Sequence, residues 1–240
     1  MATQKALNST APSGSQRQGL LVIGVVAVAA VVLAVVVIAL AGTGSVTGSV
    51  NYAELEQSRT ADGGFILGNP DAPITLIEFA DYGCPHCLTY HSTMVEFIEK
   101  YVVTGKANFE YRNFPTAGGE LTRFAAQLQE CAEEQRPGAF WEAYALLYGY
   151  AEGGRYNQDI GRTLATDLNM SYSDLLTCSS EATQVTTDIS LGRTSQITGT
   201  PAVMVRYNDG PAQFINYNGQ VYNRGSVTID VLGAVVEQVQ

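Results

Sequence analysis

The spacing of apolar and polar residues predicts a strand, a helix and a second strand in the first half of the chain. Residues 74–80 (ITLIEFA) are β-branched or aromatic and almost all apolar, which is typical of a buried strand. Apolar residues recur at helical spacing over 85–103, and Gly105 ends the predicted helix. Residues 107–114 alternate between apolar and polar. Together they predict a βαβ unit with parallel strands.

The second half of the chain begins with a long helical stretch. Apolar residues at helical spacing continue over 120–176, where pairs of Gly and Pro residues divide the stretch into several helices. Four more elements are predicted: a helix at 181–196, strands at 202–207 and 213–217 joined by an Asp-Gly hairpin turn, and a helix at 226–239. The order of elements predicts an α/β fold that carries an inserted helical block.

The N-terminal part has a different pattern. Residues 20–41 (LLVIGVVAVAAVVLAVVVIALA) contain no charged residue, and at about 1.5 Å per residue they cover a bilayer core of about 30 Å. They predict a transmembrane anchor between a polar, disordered tail at 1–19 and a Gly- and Ser-rich linker at 42–64. A cleaved signal peptide is the alternative, because residues 39–41 (ALA) resemble a cleavage site, although the apolar run is long for one.

Charge sets the predicted topology. Lys5 and Arg17 are the only charged residues before Glu54, so the positive-inside rule leaves the tail in the cytoplasm. We therefore predict a single-pass protein of the cell membrane whose globular domain is extracytoplasmic. The formal net charge of −10 argues against nucleic acid and against an anionic membrane surface as partners.

The chemistry of the chain is concentrated in the sequence Cys84-Pro85-His86-Cys87. Two cysteines two residues apart, between a predicted strand and a predicted helix, are typical of a redox dithiol. Half of a zinc site and a plain structural disulfide are the alternatives. Zinc needs about four ligands, and the sequence has no second C-x-x-C and no H-x-x-x-H. We predict no metal and no cofactor other than the Cys84–Cys87 disulfide itself.

The position of these residues on the helix predicts their roles. A helix N-terminus carries unpaired N–H groups and about half a positive charge, so it stabilises a thiolate at Cys84. Pro85 suits the first helical position, and His86 favours the thiolate further. Cys87 lies deeper and resolves a mixed disulfide. Because a stabilised reduced form makes the disulfide oxidising, the motif predicts donation of a disulfide to substrate thiols. His91, one turn later, is interpreted as a surface or packing histidine.

Glu78, the pair Cys131 and Cys178, and Pro201 also bear on the predicted redox chemistry. Glu78 lies in the apolar strand, where its carboxylate is either a proton acceptor for Cys87 or reaches a solvated edge. Cys131 and Cys178 form a structural disulfide in an exported domain, or else stay as two free buried thiols. The residues alone favour a trans bond before Pro201, since prolyl bonds are mostly trans.

Three separated segments resemble the DsbA-like thiol:disulfide oxidoreductases, a branch of the thioredoxin superfamily. They are GNPDAPITLIEFADYGCPHC (68–87), CAEEQRPGAFWEAYALLY (131–148) and ITGTPAVMV (197–205). The resemblance implies a thioredoxin-like fold over 65–240 with a helical insertion at about 118–180. It also implies an enzyme that introduces disulfide bonds into exported proteins.

The resemblance implies roles for individual residues as well. Cys84 becomes the attacking cysteine and Cys87 the resolving one, while Glu78 matches the family's buried acid. Pro201 becomes a cis-proline beside Cys84, and the backbone at Thr200 pairs with an extended substrate peptide. The implied partners are unfolded exported proteins and a quinone-linked membrane reoxidase of the DsbB or VKOR type.

Two other functions remain as alternatives. One is a disulfide isomerase or reductase, although isomerases of this superfamily usually dimerise through an added N-terminal domain and residues 42–64 are too few for one. The other is a non-catalytic, peptide-binding chaperone module. The intact dithiol and the Thr200-Pro201 pair disfavour the second alternative, because binding alone requires neither.

Overall fold

A computed structural model describes residues 50–239. The predicted tail at 1–19, the predicted anchor at 20–41 and the first part of the predicted linker lie outside the described residues. Among the helices of residues 50–239, none has the length and apolar character needed to cross a membrane.

A mixed β-sheet forms the centre of the fold. Its strands are Gln57–Arg59 (β1), Phe65–Leu67 (β2), Ile74–Ala80 (β3), Asn108–Asn113 (β4), Ala202–Tyr207 (β5), Gln213–Tyr217 (β6) and Gln220–Tyr222 (β7). They lie in the order β1-β2-β4-β3-β5-β6-β7. Only β3 and β4 run parallel among these strands, which confirms the predicted βαβ unit, and the other neighbours are antiparallel.

Seven α-helices surround this sheet in the described part of the chain. They are Pro85–Phe97 (α1), Gly119–Gln135 (α2), Ala139–Glu152 (α3), Ile160–Asp167 (α4), Tyr172–Ser179 (α5), Gln184–Thr194 (α6) and Ile229–Glu237 (α7). A π-helical segment, Ile98–Val102, continues α1. Helices α2 to α5 form the predicted helical insertion between β4 and β5.

The two faces of the sheet have different cores. Side chains alternate along β3, so Leu76, Glu78 and Ala80 face one side while Ile77 and Phe79 face the other. Leu76 and Ala80 belong to a large core built with α1, α7 and the helical insertion. Ile77 and Phe79 belong to a smaller core that packs against α6. This alternation places Glu78 on the same face of the sheet as α1.

Aromatic residues of the helical insertion fill the large core. Trp141, Tyr144 and Tyr148 on α3 are at most 1 % exposed. They pack at ring-centroid distances of 4.9 to 5.7 Å against Tyr82, Tyr111 and Phe109. The aromatic residues of this stretch are therefore core residues, and they join the insertion to the sheet.

The sequence places the start of the domain too late. Strand β1 lies within the predicted linker at 42–64, yet it pairs with β2 from Gln57 to Arg59. Tyr52 also stacks on Trp141 at a ring-centroid distance of 6.3 Å. The part of the linker from residue 50 onward therefore belongs to the domain. A three-residue strand is too short to show a periodic pattern, which explains the error.

A buried arginine organises the face of the sheet opposite α1. Arg112 on β4 is 1 % exposed, and its guanidinium donates to Glu110, Asp62 and Asp188 at 2.6 to 3.0 Å. Burial raises the pKa of Asp188 to about 6 even though Arg112 opposes the change. Burial acts to raise the pKa of Asp62, but hydrogen bonds from Arg112 and Thr60 lower that pKa to about 2. This network ties the loop before β2 and helix α6 to the sheet.

Candidate active site

The dithiol lies where strand β3 meets helix α1. Cys84 is the N-cap residue of α1, with extended backbone angles, and Pro85 is its first helical residue. Cys84 is 5 % exposed and Cys87 is completely buried, whereas Pro85 and His86 are exposed. Both cysteines are present as free thiols. The outer sulfur is thus the accessible one, and the inner sulfur faces the core.

The loop before β5 completes the front of the site. The Cys84 thiol donates to the backbone carbonyl of Thr200 at 3.4 Å. The peptide bond between Thr200 and Pro201 is cis, as the family resemblance implies and contrary to the expectation from the residues alone. The hydroxyl groups of Thr200 and Thr116 lie 2.9 Å apart. These contacts hold the loop against Cys84.

Glu78 lies beneath the inner cysteine. Its side chain is 0 % exposed, so the alternative that it reaches a solvated edge is wrong. Neither carboxylate oxygen has a hydrogen-bond partner among residues 50–239. Burial raises the pKa of Glu78 to about 8. Burial also raises the pKa of the Cys87 thiol, and the nearby Glu78 charge raises it further. A carboxyl group that gains and loses a proton near neutral pH therefore lies beside the buried thiol.

Asp81 holds the backbone around the dithiol, a role that the sequence does not reveal. One carboxylate oxygen accepts from the Gly83 N–H at 2.8 Å. The other accepts from the N–H groups of Thr116, Ala117 and Gly118 at 2.6 to 3.1 Å. The Gly83 contact joins near neighbours and is typical of an Asp residue in a turn. The contacts to 116–118 are tertiary, so no local pattern could predict them.

A groove of about 400 Å³ runs beside the dithiol, between α1, the cis-proline loop and the segment before α7. Six of its ten lining residues carry a hydroxyl group. The lining residues are His86, Thr89, Tyr90, Thr93, Thr200, Pro201, Gly225, Ser226, Val227 and Thr228. Thr200, whose carbonyl accepts from the Cys84 thiol, lines this groove, so an extended chain bound there would lie close to the outer cysteine.

The second pair of cysteines lies away from this site. Cys131 on α2 and Cys178 on α5 are joined by a disulfide with a Cα–Cα distance of 5.8 Å. In the described part of the chain, these two cysteines and Glu134 lie close enough together to be compared with a metal site. Because both sulfurs are bonded to each other, this cluster offers no thiolate ligand, and the disulfide braces the insertion.

Comparison with known proteins assigns the family. A family model described as thioredoxin matches residues 60–209, which include the dithiol, Glu78 and the cis-proline. The chain belongs to the thioredoxin family. Membership agrees with the sheet order and with the position of the dithiol at the start of α1.

Two curated relatives align with part of the chain. Disulfide bond formation protein D of Bacillus subtilis is 33 % identical over 84 residues, which are 35 % of this chain and 37 % of that protein. The Na(+)/H(+) antiporter NhaA 3 of Salinispora tropica is 28 % identical over 150 residues, which are 61 % of this chain and 22 % of that protein. The chain thus spans well under half the length of these relatives.

Solved structures support the DsbA-like fold. The crystal structure of alpha-DsbA1 of Wolbachia pipientis has a TM-score of 0.61 and 23 % identity, and the match covers 75 % of this chain and 92 % of that one. The predicted thioredoxin-like fold with a helical insertion is therefore confirmed for the described residues.

Proposed function

We propose that this protein is a protein dithiol:disulfide oxidoreductase that introduces disulfide bonds into exported proteins. The observation that carries the proposal is the arrangement of Cys84 and Cys87 with the cis-proline loop and the buried Glu78. An accessible outer sulfur, a buried inner sulfur and an acid beside it are the groups that dithiol–disulfide exchange requires.

The exchange proceeds by transfer of one disulfide. A substrate thiolate attacks the Cys84 sulfur of the Cys84–Cys87 disulfide, and Cys87 leaves as a thiolate that takes a proton from Glu78. A second substrate thiolate then attacks the mixed disulfide and releases Cys84. The substrate is oxidised by two electrons, and the Cys84–Cys87 disulfide is reduced to a dithiol.

Reoxidation uses the same groups in the opposite direction. Cys84 forms a mixed disulfide with an oxidant, Glu78 takes the proton of Cys87, and the Cys87 thiolate closes the disulfide. We propose a quinone-linked membrane reoxidase of the DsbB or VKOR type as the oxidant. The name of the Bacillus relative, a disulfide bond formation protein, supports an oxidising role.

The proposed location is the outer side of the cell membrane. The charge-free run at 20–41 and the basic residues before it support a single-pass anchor with a cytoplasmic tail. The Cys131–Cys178 disulfide supports an oxidising compartment, since structural disulfides are rare in the cytosol. Protease added to cells without their wall should digest the domain, whereas a cytoplasmic domain would be protected until lysis.

A glutathione redox titration of the Cys84/Cys87 pair tests the direction of the reaction. An oxidase should have a reduction potential of about −120 to −180 mV, well above the value of about −270 mV for thioredoxin. A value near −270 mV would instead favour the reductase alternative. The Cys84→Ser variant is the matched control, because it leaves the Cys131–Cys178 disulfide as the one disulfide available to titrate.

A further inference from the structure

The groove beside the dithiol has two walls that are joined by a buried hydrogen bond. Helix α1 supplies one wall through His86, Thr89, Tyr90 and Thr93, which share one face of the helix. The segment 225–228, just before α7, supplies the other wall. The hydroxyl of Tyr90, a buried residue, donates to the carbonyl of residue 227 at 2.9 Å. The two walls are therefore held together in the free protein.

The length of the groove sets how much of a substrate it can cover. From His86 to Thr93 the helix advances by seven residues, which is about 10 Å at about 1.5 Å per residue. An extended chain covers about 3.3 Å per residue, so about three residues span this distance. A substrate whose cysteine reacts at Cys84 would place about three of its neighbouring residues along the groove.

Three hydroxyl groups of the groove are engaged within the protein. The Thr89 hydroxyl donates to a backbone carbonyl one turn earlier on α1 at 3.1 Å. The Tyr90 hydroxyl joins the two walls. The Thr200 hydroxyl lies 2.9 Å from that of Thr116. These three groups shape the groove.

Three other hydroxyl groups of the groove are free. Those of Thr93 and Ser226 make no hydrogen bond to residues 50–239. Thr228 is the N-cap residue of α7, yet its side chain makes no capping bond. Thr93 is half-buried, whereas Ser226 and Thr228 are exposed. Because a hydroxyl both donates and accepts, each of these groups can bind an amide or a hydroxyl of a substrate.

The composition of the lining decides which side chains fit. No Asp, Glu, Lys or Arg is among the ten lining residues. An aliphatic side chain placed there would displace water from the free hydroxyls and leave them unpaired, which is unfavourable. An amide or hydroxyl side chain would replace the bonds of that water. A site built from hydrogen-bonding groups discriminates against ligands that lack such groups.

We propose that this groove selects substrate cysteines whose neighbouring residues carry amide or hydroxyl side chains, and that Thr93 and Ser226 determine the preference. The inference rests on the proposed exchange at Cys84 and specifies its substrates. In the step concerned, a substrate thiolate forms a bond to the Cys84 sulfur as the bond from Cys84 to Cys87 breaks. Contacts in the groove that are made as this mixed disulfide forms raise the rate of the step.

The test uses peptides with one cysteine, three asparagines on one side of it and three glycines on the other. Leucine replaces asparagine in the matched peptides, since the two side chains are close in volume. Both orders of the flanks are made, and a short polyethylene glycol tail keeps every peptide in solution. Excess peptide is mixed with the oxidised full-length protein, and acid quenching, alkylation and mass spectrometry measure the loss of the Cys84–Cys87 disulfide.

Two corrections isolate the contribution of the groove. Each rate is divided by the rate of the same peptide with a small aromatic disulfide, which removes differences in the reactivity of the peptide thiols. It is also divided by the rate of the same protein with 2-mercaptoethanol. This thiol is too small to reach Thr93 from Cys84, so the division removes any general loss of activity.

The asparagine peptide should react at least about fivefold faster than the leucine peptide in one of the two orders, which is the effect of about one net hydrogen bond. Thr93→Val combined with Ser226→Ala should lower this ratio below about twofold. Thr93→Ser, which keeps the hydroxyl, should retain most of it. Ser190→Ala is the matched control, because it removes an exposed hydroxyl from α6, on the other face of the sheet, and should leave the ratio unchanged.

Either single variant, Thr93→Val or Ser226→Ala, should give an intermediate ratio, so the test stands if the double variant folds poorly. A ratio near one in the unmodified protein, a faster leucine peptide, or a ratio that survives in the variants would overturn the proposed preference. Failure of the oxidised, unmodified protein to oxidise 2-mercaptoethanol would instead overturn the proposed function.

Discussion

Glu78 should make the free energy of unfolding depend strongly on pH. Its pKa is raised by burial from an ordinary value of 4.5 to about 8, so the fold favours the neutral carboxyl group. The stability contributed by this group is complete below about pH 4.5 and is lost as the pH rises toward 8. At pH 7 this group alone has lowered the free energy of unfolding by about 3 kcal/mol, because each pH unit from about 4.5 to 7 costs about 1.4 kcal/mol.

The assay compares Glu78→Gln with the parent over a range of pH. Both carry Cys84→Ser and Cys87→Ser, so that the active-site disulfide cannot form while the Cys131–Cys178 disulfide stays intact. Guanidinium unfolding is followed by the fluorescence of Trp141, the single tryptophan of the chain, which is 1 % exposed. From pH 4.5 to pH 7, the parent should lose about 3 kcal/mol more than the Glu78→Gln protein.

The titratable groups that face Glu78 do not share this dependence. They are tyrosines with raised pKa values, which stay neutral throughout the range: Tyr82, Tyr90, Tyr111, Tyr144 and Tyr148. Glu142→Gln is the matched control, since this half-buried acid has its pKa lowered by Arg136 and its loss should not flatten the curve. Parallel curves for the parent and Glu78→Gln would refute the assignment of a buried, neutral carboxyl group.

Three further predictions concern other parts of the domain. Cys131→Ser with Cys178→Ser should lower the free energy of unfolding by about 2–4 kcal/mol while disulfide exchange at Cys84 continues, and loss of exchange in a folded protein would contradict a bracing role. Asp81→Asn should slow exchange and cost about 2 kcal/mol in denaturant unfolding, because its carboxylate accepts four backbone N–H groups. Arg112→Met should destabilise by about 3–5 kcal/mol at pH 7 and by less at pH 5, where Asp188 is protonated; an equal loss at both values would show that the buried charge is not the cause.

Local sequence patterns determined much of the fold and the chemistry of this protein. The apolar run of β3 and the helical spacing after Cys84 predict that a strand feeds the dithiol into a helix N-terminus. Those two elements fix which cysteine is outer and which is inner, since the helix turns by about 100° per residue. The structure places Cys84 and Cys87 in this way.

Only the tertiary structure decided the surroundings of the dithiol. Strand pairing brings Tyr111 beside Glu78, and packing of α3 on α1 brings Tyr148 against His91. The sequence left open whether Glu78 was solvated, because burial depends on what covers a strand and not on the strand itself. The same holds for Asp81, three of whose backbone partners lie more than thirty residues away along the chain. Periodicity reports the face on which a side chain lies, whereas contacts across elements depend on how the whole chain packs.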